Sequence, residues 1–161
     1  MSFATFLAGE TLSPGDPVAL TSAGVVYRCC AVDPNTDTLV GVCLESGSVN
    51  GQVRVGLDNA GSVFSNLTVG AQYYVGLTSG TLISGYDNFL NALENTGFVS
   101  ATLNYVGRAI TTSRISVERS FPLIIVNPAS SSVLLESSVS AVSPFFILQE
   151  DGSKILQEDA S

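Results

Sequence analysis

Short apolar runs alternate with clusters of Gly, Pro, Asn, Asp and Ser along most of the chain. Val18-Ala19-Leu20 leads through Thr21-Ser22-Ala23-Gly24 into Val25-Val26-Tyr27-Arg28-Cys29, the pattern of two strands joined by a turn. Asp33-Pro34-Asn35-Thr36-Asp37 has loop chemistry, because Pro presets φ and Asx side chains bond their own backbone. Leu39-Val40-Gly41-Val42-Cys43-Leu44 is continuously apolar, whereas Gln52-Val53-Arg54-Val55 alternates and so has one wet face. An Asn50-Gly51 turn lies between them. Gly61-Ser62-Val63-Phe64, Gln72-Tyr73-Tyr74-Val75, Thr81-Leu82-Ile83, Ala101 to Gly107 and Ser113-Arg114-Ile115-Ser116-Val117 read as further strands. Turn signals recur roughly every 8–12 residues, which favours a sandwich or barrel over alternating strand and helix.

One segment departs from this pattern. Asp87 is placed to cap a short helix with Phe89, Leu90 and Leu93 on one face and Gly97 at its end. The fold class expected is therefore all-β, a compact β-sandwich or β-barrel-like domain with one short helical insert and an extended C-terminal arm. Composition shifts after Arg119, dividing the chain into a β-domain over 1–118 and an extended arm with a β-hairpin over 119–161. Phe121 to Pro128 is an apolar run fenced by prolines, which suits an edge strand or an arm. A Ser-rich stretch follows, and then Ile147-Leu148-Gln149-Glu150-Asp151 recurs as Ile155-Leu156-Gln157-Glu158-Asp159. Asp151-Gly152 between the copies suits a hairpin turn, and an isolated hairpin needs a surface to pack on.

Composition narrows the function. The chain has 161 residues, 45% hydrophobic and only 12% charged, with a net charge of -8. Such an acidic chain is not expected to bind nucleic acid through a basic surface. There is no His, which excludes a Ser-His-Asp triad and His-based zinc ligation. No apolar run is long enough to span a membrane, and Met1 to Leu7 has neither the basic region nor the apolar length of a signal peptide. The 3 cysteines, Cys29, Cys30 and Cys43, read as small buried hydrophobes; a bridge from Cys43 to either neighbour is compatible with the sequence but not demanded.

Candidate chemistry is sparse. Asp33, Asn35 and Asp37 have the oxygen spacing that opens a calcium loop, but the Gly and the distant Glu of that loop are missing, leaving a solvated turn. Gly47, Gly51, Gly56 and Gly61 are too widely spaced, and too far from any Lys, to form a phosphate-binding loop. Tyr73 and Tyr74 could stack a sugar or base, but adjacent strand residues face opposite sides, so one is expected in the core. No catalytic set emerges, no cofactor is implied, and the chain is expected not to be an enzyme. The informative feature is apolar arms at both ends, too greasy to stand free in water. Phe3, Phe6, Leu123, Ile125, Phe145, Ile147 and Ile155 are the candidate partner-contact residues.

Several segments together resemble a known family. Ala8-Gly9-Glu10-Thr11-Leu12-Ser13-Pro14-Gly15-Asp16-Pro17-Val18 opens the series, followed by Gly24-Val25-Val26-Tyr27, Val40-Gly41-Val42 and Gly51 to Val55. Leu67 to Val75, Gly80-Thr81-Leu82 and Val106-Gly107-Arg108-Ala109-Ile110 close it. In order and spacing this resembles a small β-domain of tailed-bacteriophage virion proteins, found in capsid decoration (cement) proteins and in head or tail fibres. The resemblance covers about residues 6–118. It implies a homotrimer bound to the major capsid protein on the outer surface of the head, made in the host bacterial cytoplasm, with no membrane or nucleic-acid partner. A fibre or tail component that adheres to a host receptor is the alternative. The helix-like insert and the long C-terminal extension depart from the family pattern.

Overall fold

Strands β1 (Phe3–Ala8), β2 (Pro17–Leu20), β3 (Val25–Arg28), β4 (Leu39–Cys43) and β5 (Gln52–Gly56) close into a barrel in the order β1-β3-β2-β4-β5. The computed structural model describes residues 2–58 and 62–129. Neighbouring barrel strands are antiparallel except β1 and β3, which run parallel. The N-terminal segment is thus a barrel strand bonded on both sides. Its period of 2 sends Ala4, Phe6 and Ala8 inward and leaves Phe3, Thr5 and Leu7 exposed.

The barrel is filled by Ala8, Leu12, Val18, Val26, Cys43, Val53 and Val55. A second sheet packs on its outer wall: β6 (Gln72–Val75), β7 (Leu82–Ser84), β9 (Tyr105–Ala109) and β10 (Ile115–Val117), in the order β10-β9-β6-β7. Ala19, Leu39 and Val42 of the barrel meet Tyr73, Val75, Val106, Ala109, Ile115 and Val117 there. Strands β2 and β4 are therefore buried on both faces. Val18 and Cys43 point into the barrel while their neighbours Ala19 and Val42 point at the second sheet. This is why Leu39 to Leu44 reads as continuously apolar while β5, with one face wet, alternates.

The third core lies under the helix α1 (Tyr86–Glu94), which buries Phe89 and Leu93 against Ala31 and Ala101. Gly85, not Asp87, is the N-cap residue; Asp87 sits in the first turn, where its charge complements the helix dipole. The helix stops at Glu94 with Asn95 as the C-cap, short of Gly97. Thr96 explains the early stop, because its N–H and hydroxyl both donate to the Leu93 carbonyl.

Two expected strands take other forms. Ser62-Val63-Phe64 joins no ladder. The Phe64 N–H instead donates to the Ser113 carbonyl, and Val63 and Phe64 pack as half-buried side chains on the inter-sheet core. Ala101 to Gly107 is not one strand but two, β8 (Ser100–Leu103) and β9, which belong to different sheets. The break is Asn104, whose Oδ1 accepts from the Leu39 N–H while its Nδ2 donates to the Asp37 carbonyl at 2.6 Å.

Strand β8 pairs antiparallel with β11 (Leu123–Val126), a segment that composition alone assigns to the C-terminal arm. By its internal packing this unit runs through Asn127. All three cysteines are buried and free. Cys29 faces the inter-sheet core and Cys43 the barrel interior, so no bridge between them forms.

Candidate interaction surface

The residues of the motif segments are spent on architecture. Gly9 lies under Tyr27, where any Cβ would overlap the ring. Glu10 accepts the Arg28 backbone N–H at 2.7 Å and pairs with its guanidinium at 3.1 Å. Asp16 takes the other side of the same guanidinium, Nε at 3.1 Å, and also caps the Ser13 N–H. The two acidic residues of the opening motif thus converge on one arginine and lock the approach to β2 against β3. In the Leu67 to Val75 motif, Leu67 is buried, and the Tyr73 hydroxyl accepts the Thr68 N–H at 2.9 Å. Gly107 lets β9 approach β10, since a Cβ there would collide with the Ser116 carbonyl.

The tyrosine pair separates as strand geometry requires. Tyr73 is buried, and Tyr74 is half-buried beside Tyr105 with ring centroids 5.5 Å apart. Asp33 accepts the Asn35 N–H and makes an Asx turn, while Asp37 accepts the Thr102 hydroxyl at 2.8 Å. No cluster of three or more His, Cys, Asp or Glu side chains suited to a metal occurs among the described residues. Burial pushes the Cys29 thiol up to about 12 and raises that of Cys43, so neither is an activated nucleophile at neutral pH.

What the surface offers is apolar area on the β8–β11 ribbon. In the register Leu123↔Leu103 and Ile125↔Ala101, one face turns toward the helix core, where Ile125 and Leu103 pack. The register Ile124↔Thr102 and Val126↔Ser100 places Ile124 and Val126 on the other face. Ile124 is 68% exposed, Val126 49%, Leu123 58% and Phe121 91%. Phe98 and Val99, also exposed, adjoin the end of the ribbon, where the Asn127 N–H donates to the Val99 carbonyl at 2.7 Å. Among the described residues β11 pairs with β8 alone. Large apolar side chains on such an edge are the surface that proteins usually cover.

The expected contact residues divide accordingly. Phe3 is half exposed on the outer barrel wall, with the Arg54 guanidinium 5.6 Å above its ring. Arg54 in turn hydrogen-bonds Glu45 and holds its carboxyl below the usual carboxylate range. Phe6, three positions on, faces inward and packs against the barrel core. Leu123 is exposed on the ribbon, whereas Ile125 packs on the helix cluster. Phe145, Ile147 and Ile155 lie outside the described residues. The expected contact residues did not include Ile124 and Val126, although both lie in the apolar arm, nor Phe98 and Val99. A period of 2 could not choose between Leu123/Ile125 and Ile124/Val126, because every position from Leu123 to Val126 is apolar; only the pairing with β8 tells the faces apart. No protein-family model matches the chain, and no curated protein matches it.

Proposed function

We propose that this chain is a non-enzymatic structural protein of a tailed-phage virion, a decoration protein that binds the outer surface of the head as a trimer and stabilises the lattice of the major capsid protein. The observation that carries this reading is the exposed apolar side chains gathered along the edge strand β11: Ile124 and Val126 on one face, Leu123 on the other, and Phe121 just before the strand. A ridge of this kind gains by association twice, once by removing apolar area from water and once by extending a sheet with backbone hydrogen bonds. On a lattice, many modest contacts of this kind add up through avidity.

Two further features support the reading. The motif residues serve the architecture of the barrel and the second sheet, as expected of a scaffold that presents a surface. The two carboxylates of the opening motif, Glu10 and Asp16, are both engaged with Arg28. The test is co-sedimentation of purified protein with mature capsids lacking decoration, together with light scattering of the free protein. Saturable binding at many copies per particle from a stable trimer is the expected result. Absence from the head, with the protein found instead at the tail or at a few unique vertices, overturns it in favour of a fibre component.

A further inference from the structure

A groove of about 610 Å³ opens on the barrel between the β2–β3 turn and the loop after β3, with Thr21, Ser22, Tyr27, Asp33, Asn35 and Thr36 in its lining. From its chemistry we infer that this groove is a binding site for a neutral oligosaccharide, a role separate from the apolar ridge.

Three observations point to that ligand class. The first is an oriented aromatic ring. The Tyr27 ring lies against Gly9, which supports it from one side, and its hydroxyl has no hydrogen-bond partner among the described residues. An aromatic side chain held in this way offers an apolar body with a polar tip, which suits the C–H face and hydroxyl edge of a pyranose. The second is a set of polar groups left without protein partners. The Asn35 amide, the Ser22 hydroxyl and the second carboxylate oxygen of Asp33 bond nothing among the described residues, while Asp33 Oδ1 is occupied by the Asn35 N–H. An amide beside a carboxylate supplies the donors and acceptors that vicinal hydroxyls need. The walls carrying them are held in place. Thr21 bonds Val25 through both its N–H and its hydroxyl, and Cys30 and Thr36 are bonded across the loop base. Preorganised walls lower the entropic cost of binding.

The third observation argues against two competing classes, anions and strand-adding peptides. The lining has no Lys or Arg and one carboxylate, so a phosphate or sulfate group meets a negative field. Strands β2 and β3 are each paired on both sides within the closed barrel, so a peptide has no strand edge to extend at this groove.

The test is an amide-shift titration of the full chain by NMR with maltohexaose, cellohexaose and chitotetraose, and with an oligogalacturonate as the anionic control. At least one neutral sugar is expected to shift the Thr21–Tyr27 and Asn35–Thr36 amides saturably, with Kd on the order of 1 mM. Tyr27→Phe keeps the ring on Gly9 and Asn35→Ala alters an exposed side chain, so both variants should fold. Each should weaken that binding roughly 2–10-fold. No shift with any neutral sugar, affinity unchanged in both variants, or tighter binding of the oligogalacturonate would each overturn the inference. Capsid co-sedimentation reads the ridge independently, so the failure of either proposal leaves the other standing.

Discussion

The Asn127 side-chain amide donates to the Phe98 carbonyl at 2.8 Å, and from the same Nδ2 to the Leu93 carbonyl at 2.8 Å. One buried residue at the end of β11 thereby ties the last strand to the end of α1 and to the loop that starts β8. Replacing Asn127 with Ala removes both bonds; the Leu93 carbonyl keeps its Thr96 donors, while the Phe98 carbonyl loses this one in a part-buried site. The expected cost is about 1–2 kcal/mol, read from urea denaturation. Unchanged stability would mean that the β8–β11 ladder and the packing of Ile125 and Leu103 hold the ribbon without the side-chain amide.

The same relationship decides where the chain can be shortened. A stop after Asn127 keeps every element from β1 to β11, and the product should unfold as one cooperative unit. A stop after Arg119 removes β11 and strips Ile125 from the helix core. It should cost on the order of 3 kcal/mol. Calorimetry of the two products separates these outcomes, and equal midpoints would show that β11 contributes nothing to the domain.

The Glu10–Arg28–Asp16 cluster is partly solvent-exposed, with side-chain exposures of 31% for Arg28, 34% for Glu10 and 16% for Asp16. Water and salt screen it, so the ion pairs themselves are worth no more than about 1 kcal/mol. Glu10→Gln keeps an acceptor for the Arg28 N–H and should lose less than Glu10→Ala. The difference from wild type should shrink in 1 M salt (about 3 Å Debye length). A loss that does not change with salt would assign the stabilisation to hydrogen bonding instead of charge.

Cys29 gives the alkaline limb of stability its sign. Burial raises the folded-state thiol from 9.0 to about 12, so between those values the unfolded chain has lost a proton that the folded chain keeps. Stability from this group is complete below pH 9 and falls by about 1.4 kcal/mol per pH unit above it. Cys43, also raised by burial, acts in the same direction. Cys29→Ala should flatten this part of the pH profile, and native protein at pH 8 should resist thiol reagents that label it rapidly in urea. Fast labelling without denaturant would contradict the buried assignment.

The barrel strands were largely legible because burial on one face or two leaves distinct patterns, as in β5 against β4. Long-range polar contacts were not. Asn104 looks like a chance polar residue within a strand, and only its bonds to Leu39 and Asp37, more than sixty positions away, show why the chain changes sheets there. The capping of α1 was missed for a related reason: Asp87 is a good cap by type, but Gly85, with φ of 83°, is what lets the backbone turn in from β7. Phe3 and Phe6 were grouped by hydrophobicity, although an odd separation on a strand already puts them on opposite faces. The same rule gave the division of Tyr73 from Tyr74 correctly.

The central claim is that the β11 ridge is the docking surface for a capsid lattice. The most direct measurement is the binding isotherm of full-length Ile124→Glu beside wild type on undecorated mature capsids, with denaturation midpoints compared as a folding control. Ile124 is 68% exposed, so the variant should fold with nearly unchanged stability. It should lose at least about tenfold in affinity, as expected when a charge enters an apolar contact. Wild-type affinity in the folded variant would contradict the claim and move the docking surface elsewhere on the molecule.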